Sequence, residues 1–164
     1  MHVELSETSE MTDKRPDYEM TFVTRHQYDR NGSLNAVTSA KHVTVDMIKR
    51  TTQWESPRFL FVENQKKWLI NAKLAESIDD TRLYFYNGVD LSYHENSDEN
   101  YEFPLLSMEL QQLDIDIQQQ IATSNKPVNI LMPGGTIQGS GITVNLETST
   151  VDLNKVKGHY EKLY

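Results

Sequence analysis

Asp114 and Asp116 stand two residues apart, so in an extended segment both carboxylates project from one face. Side-by-side carboxylates are the minimum equipment for general acid–base or glycosidic chemistry. The same spacing arises on any wet strand face that carries acids. No Gly-x-Ser-x-Gly elbow is present to supply a nucleophile. Asp79-Asp80 reads as a turn pair. Gly134-Gly135-Thr136-Ile137-Gln138-Gly139-Ser140-Gly141 invites a phosphate-loop reading. A phosphate loop needs Lys-Ser/Thr after its last glycine and a helix behind it. Here Ile142-Thr143-Val144 follows, which is strand, so the glycines read as a tight turn and a close approach between sheet layers. The histidines are His2, His26, His42, His94 and His159, and no two have the close spacing of a metal site. His26 and His42 could meet across a hairpin centred on Asn31-Gly32. Asn31-Gly32-Ser33 also matches the short glycosylation sequon. No catalytic residue, metal ligand or cofactor site emerges from these residues.

Composition narrows the field further. The 164 residues carry a formal net charge of −8. That disfavours nucleic acid, whose binding depends on neutralising phosphates, and simple adhesion to an anionic membrane. There is no cysteine, which removes disulfides, thiolate zinc sites and cysteine nucleophiles. Hydrophobic residues make up 37% of the chain, the balance expected of strands with one wet face. No run of about 18 apolar residues is present to span a membrane, and no signal-peptide pattern is seen. Met1–Asp13 is polar and reads as a disordered tether. The division expected is a tether over residues 1–17 and one domain over residues 18–164.

The elements that must position any site are strands. Met20–Thr24 alternates, and Asn31-Gly32 marks a hairpin because both residues tolerate positive φ. Leu34–Val45 follows, bent near Ala40, and Glu55-Ser56-Pro57 is a break. Arg58–Glu63, Trp68–Leu74 and Leu83–Tyr86 alternate in turn, and Asn87-Gly88 marks a second hairpin or a bulge. Residues 106–121 fit helical spacing through Leu106, Leu110, Leu113, Ile117 and Ile121. They fit strand spacing equally through Leu113, Ile115 and Ile117, and the neighbouring strands favour strand. Val128–Met132, Gly135–Gly139, Gly141–Leu146, Thr150–Leu153 and Val156–Tyr160 complete one all-β domain of many short strands. Ala40, Ala72, Ser107 and Gly139 recur 32, 35 and 32 residues apart. Such a period suggests stacked units that bury a core only together.

Phe22, Trp54, Phe59, Phe61, Trp68, Ile70, Phe85, Val89 and Leu91 form an apolar stripe along these strands. It fits a filled core or the wall of an open trough equally well, and composition does not separate the two. A structural β-repeat module of the adhesin kind is therefore one reading. A sugar-active enzyme built on Asp114 and Asp116 is another.

The order of motifs resembles the LptC family of lipopolysaccharide export proteins. The matching segments are Tyr28-Asp29-Arg30-Asn31-Gly32-Ser33-Leu34, Ala40-Lys41-His42-Val43, Trp54-Glu55-Ser56-Pro57-Arg58-Phe59 and Trp68-Leu69-Ile70-Asn71-Ala72-Lys73-Leu74-Ala75. Leu83-Tyr84-Phe85-Tyr86-Asn87-Gly88-Val89, Gly139-Ser140-Gly141-Ile142 and Val156-Lys157-Gly158-His159-Tyr160 follow in the same order. Lys73 departs from the acid that family members often carry there, and Asn87 adds a residue before Gly88. The resemblance implies an open β-jellyroll of stacked antiparallel strands, LptA/LptC/OstA-like. It implies a periplasmic protein held to the inner membrane by an N-terminal helix that no segment of this chain matches. It also implies lipopolysaccharide as ligand, without a cofactor. An inner-membrane ABC transporter would be met at the N-terminal edge near Met20–Thr24, and the bridge protein LptA at the C-terminal edge through Val151, Leu153, Val156 and Tyr160. Lipid contact would come from the nine stripe residues together with Leu113, Ile115, Val128 and Ile130.

Overall fold

Apolar residues at alternate positions give each extended segment one greasy face, and segments of this kind are stable only in a common sheet. The computed structural model describes residues 15–95 and 104–159. Ten strands run through them: β1 Tyr18–Tyr28, β2 Leu34–Asp46, β3 Thr51–Glu55, β4 Arg58–Glu63 and β5 Lys66–Ile78, then β6 Arg82–Glu95, β7 Leu106–Asp116, β8 Ile121–Met132, β9 Gly135–Asn145 and β10 Thr150–His159. All belong to one antiparallel sheet in chain order, with β3 and β4 sharing the place between β2 and β5. The fold class expected from the sequence is the one found. Of residues 106–121, expected as strand, 106–116 are strand, so the neighbouring ladders overrode the helical spacing, but 117–120 form a turn and Ile121 opens β8. The Asn31-Gly32 hairpin is also present, with Gly32 at φ 81°.

β3 lies where no strand is expected, and elsewhere the strands are longer than alternation predicts because of one local irregularity. In β2 the inward residues Ala40 and Val43 lie three apart, with Lys41 and His42 turned outward between them. The same inward, outward, outward, inward step separates Trp54 from Pro57, Ala72 from Ala75, Leu110 from Leu113 and Gly139 from Ile142. In β6 and β8 the step carries one more residue, Phe85 to Val89 and Ser124 to Val128. Pairing aligns these steps across the sheet. Val43 faces Trp54, Trp54 faces Ala75, Ala75 faces Phe85 and Phe85 faces Leu113 on one side. Ala72, Val89, Leu110, Val128, Gly139 and Val156 face one another in turn on the other side. The line of steps is a corner. On the convex side of a bend the chain has a longer arc, so two consecutive residues are spent there. Positive φ at Ser56, Asn87, Gly88 and Gly141 marks the same line.

The sheet therefore folds over into two arms. The first holds β3, the end of β5 and the starts of β6, β8 and β10; the second holds β4, the start of β5 and the ends of β6, β8 and β10. Phe59 of the second arm packs edge-on against both Trp54 and Phe85 of the first, at centroid separations of 5.4 and 5.1 Å. Ile70, Leu91, Ala122 and Val144 are wholly buried between the arms. Each large aliphatic side chain buried there contributes about 1.5–3 kcal/mol. The recurrence of small residues has a physical origin in this corner, with one correction. Ala40, Ala72 and Gly139 occupy the inner row beside the bend, but Ser107 does not, and Leu110 holds the equivalent place in β7. Asn87-Gly88 is a bulge and not a hairpin, because β6 continues through it.

A Cβ on Gly139 would lie 2.8 Å from the backbone oxygen of Lys155 and 3.3 Å from Leu153 Cδ2, both on β10. The close approach expected of this glycine is thus to the neighbouring strand of the same sheet, not to another layer. We expect Gly139→Ala to lower stability by roughly 1–3 kcal/mol in denaturant unfolding. Amide exchange should accelerate along β10 while β5 and β6 stay protected. Uniform acceleration across the sheet would contradict this account.

Candidate functional site

The stripe residues lie between the arms. Phe59, Trp68, Ile70, Phe85, Val89, Leu91, Leu113, Ile115, Val128 and Ile130 are buried in one continuous cluster, and Trp54 and Phe61 pack half-buried against it. Phe22 departs from the expected pattern. Alternation from Met20 would turn it inward, but the corner step falls at Thr21 and Phe22, so Phe22 points out with 81% exposure and φ 52°.

Away from the corner, where the rims of the two arms meet, a cavity of about 620 Å3 opens. Phe61 and Trp68 from the second arm and Ile115, Ile117 and Leu146 from the first supply its apolar wall. Asp29, Asn31, Glu63, Asn64, Lys66 and Gln120 give it a polar rim. Beside it, Trp68 Nε1 donates to Ser149 Oγ across the arms at 3.4 Å, a long bond that pins one side of the opening. Tyr93 lies against Trp68 with centroids 4.8 Å apart, and its hydroxyl donates to Glu95. Burial, then Glu95, raises the Tyr93 pKa above the ordinary phenol value. Deeper in, the indole N–H of Trp54 is a buried donor without a hydrogen-bond partner among the described residues. A buried donor left unpaired is costly. A second cavity of about 610 Å3 lies along the corner, lined by Tyr84, Tyr86, Gln112, Asn125, Asn154 and their neighbours.

Ile117 and Leu146 were not singled out as contacts by sequence reasoning, although the signal was present. Each continues an inward alternation, Leu113-Ile115-Ile117 and Ile142-Val144-Leu146, for one residue past the end of its strand.

The carboxylates that suggested chemistry have structural partners instead. Asp114 Oδ2 accepts from Arg82 Nη2 at 2.6 Å, and this carboxylate raises the guanidinium pKa. Asp116 Oδ1 accepts the backbone N–H of Gln119 at 2.9 Å and so caps the turn into β8. His26 and His42 do not meet, since His26 pairs with Val37 and His42 with Thr21. His42 Nε2 instead lies 2.7 Å from Glu19 Oε1, and its Nδ1 lies 3.7 Å from Glu55 Oε2. His94 sits at the outer end of β6 opposite Lys67; burial, then this cation, lowers its pKa below the ordinary imidazole value.

Among the described residues the sheet is not closed. Of the described strands, β1 pairs only with β2, and β10 pairs only with β9. Of the residues expected at the C-terminal edge, Val151 and Leu153 pack half-buried against the core and Val156 is 57% exposed. Tyr160 lies outside the described residues, as do residues 1–14 of the expected tether.

Three comparisons bear on this architecture. No curated protein matches the chain. Among solved structures, the chain is similar to LptH from Pseudomonas aeruginosa, described as the LptA-homologous periplasmic component of the conserved lipopolysaccharide transport device. The match has a TM-score of 0.55 at 9% identity and covers 85% of this chain and 96% of that one. This likeness establishes the jellyroll fold. The sequence pattern described as lipopolysaccharide-assembly, LptC-related, matches residues 3–161. With that pattern running through every strand of the corner-folded sheet, the chain belongs to the LptC-related lipopolysaccharide-assembly family.

Proposed function

We propose that this chain is a non-enzymatic carrier that grips the acyl chains of lipopolysaccharide between its two arms. On this reading residues 18–164 are the binding domain in the periplasm, and residues 1–17 tether it toward an inner-membrane anchor. It receives lipopolysaccharide from the inner-membrane ABC transporter at the β1 edge and passes it to the bridge protein LptA at the β10 edge. The family assignment supports a part in lipopolysaccharide transport. The observation that carries the finer reading is the cavity at the far rim, where an apolar wall sits behind a polar lip.

A fatty chain entering there meets Phe61, Trp68, Ile115, Ile117 and Leu146 first. Beyond them Trp54, Phe59, Phe85, Ile70, Val89, Leu91, Leu113, Val128 and Ile130 line the same interior and would repack around it. Each methylene transferred from water contributes about 0.8 kcal/mol. Repulsion between an anionic headgroup and a chain of net charge −8 acts across solvent and is screened within about 8–10 Å. Burial of several methylenes therefore outweighs it. The orphan N–H of Trp54 suits an acyl ester carbonyl, an acceptor that a fully hydrocarbon ligand would lack.

Photo-crosslinking side chains at Phe61 and Trp54 should label lipopolysaccharide in cells, whereas one at Asp152, on the outer face, should not. Absence of adducts at both inner positions in a folded protein would sink the carrier reading. It would leave the filled structural module, which organic extraction of the purified protein should then find free of lipid. The Asp114→Asn and Asp116→Asn double variant should transport at the parental rate, because both acids hold structure and Asn keeps an acceptor at each place. A collapse of transport without loss of fold would revive an enzymatic role.

A further inference from the structure

Among the described residues β1 is the eleven-residue outer strand of the sheet, on which Tyr18, Met20, Phe22 and Tyr28 stand exposed at 58, 43, 81 and 59%. Natural edge strands are ordinarily protected by charge, proline or brevity, and this one bears large apolar side chains. Phe22 also holds a left-handed backbone, φ 52°, which bulky residues rarely adopt without a functional reason. It does so at the corner step. Met20 shares the inner face with Val43, Val23 shares it with Ala40, and Thr21 and Phe22 point outward between them.

We infer that this step is a register key for the strand that docks on β1. A strand adding to this edge must itself carry a step, two inward residues three apart or, as in β6 and β8, four apart, set beside Met20 and Val23, with Phe22 lapping its outer face. A strand of plain period-two alternation would match one arm and turn its other half inside out. The inference rests on the proposed docking of a transporter component at this edge. The occupant is the terminal strand of a different chain with the same two-arm build, because such a build places the step at both of its edges; β10 carries it here as Leu153 and Val156. A second copy of this chain fits poorly. Both β1 and β10 begin on the first arm, so a head-to-tail copy would align them in parallel. Setting Leu153 by Met20 and Val156 by Val23 then puts Asp152 beside Glu19, a like-charge neighbour.

The test uses the full chain assembled with the transporter in cells. Met20→Cys and Val23→Cys are each paired with a cysteine scan along the terminal strands of the transporter's periplasmic part. Disulfides should form at two partner positions three or four residues apart on one strand, with none at the outward positions between them. A pair two apart, or a disulfide from a position between the two, is the mark of plain alternation and would overturn the register key while leaving the docking reading intact. No disulfide from either cysteine would overturn both. In parallel, Phe22→Gly should hold or raise the thermal midpoint of the isolated chain, since glycine accepts this backbone, yet reduce recovered assembly about tenfold. Assembly at the parental level, or a lowered midpoint, would remove Phe22 from the docking surface.

Discussion

Pairing of the corner steps is the constraint on which the rest of the molecule depends. Each strand must spend two outward residues at the same line across the sheet, or its second half would present polar side chains to the core. Backbone ladders transmit this requirement from strand to strand, because a bend in one strand must be met by a bend in its neighbour. Where an extra residue intrudes, as at Asn87, it is absorbed in the outward part of the step, and Phe85 and Val89 remain inside. Space is least on the concave side of the bend. The inner row there sets small residues beside larger ones, Ala72 beside Val89 and Gly139 between Val128 and Val156, and at Gly139 a Cβ would run into β10.

With the corner in place, burial supplies the stability and the surface contributes little. The ion pairs Arg82–Asp114 and Arg50–Asp79 join exposed or half-exposed side chains, and such pairs are typically worth 0–1 kcal/mol. By contrast, the ring sequence Trp54, Phe59, Phe85 crosses from arm to arm and back. Edge-to-face pairs of this type add about 0.5–1.5 kcal/mol beyond their buried area. The acidic exterior and apolar interior are thus separable properties. One governs which partners approach, and the other holds the fold and, on the proposed reading, the ligand.

Strand content, both Asn-Gly features and most inward residues were legible in the sequence because alternation is a local property. What alternation misreads is its own interruption. Gly135–Gly139 and Gly141–Leu146 read as separate strands, as do Thr150–Leu153 and Val156–Tyr160, although β9 and β10 each run continuously through the step. Phe22 was assigned inward by counting twos from Met20 across a step that only pairing with β2 reveals. Ser107 joined the repeat by spacing alone, whereas position in the sheet belongs to Leu110. The rim cavity was hidden for a related reason. Ile117 and Leu146 come from turns distant in sequence from Phe61 and Trp68, and only the fold-over brings them to one mouth.

An open sheet accepts a liability that closure would abolish, since among the described residues both of its edges keep unpaired backbone groups. Closure would also end the interior at its own walls. In a sheet that folds over instead, the groove between the arms runs out at β1 and β10, and any strand added there lengthens it. A conveyor of a long-chain lipid benefits from that geometry only if the added strand keeps its greasy side inward on both arms. Hydrogen bonds along an edge are indifferent to side-chain parity and would accept a slipped strand almost as readily. The corner step is not indifferent, because a slip by one residue exposes apolar groups on one arm and buries polar ones on the other. The same irregularity that lets each strand turn the corner thus supplies the discrimination that a bare sheet edge lacks.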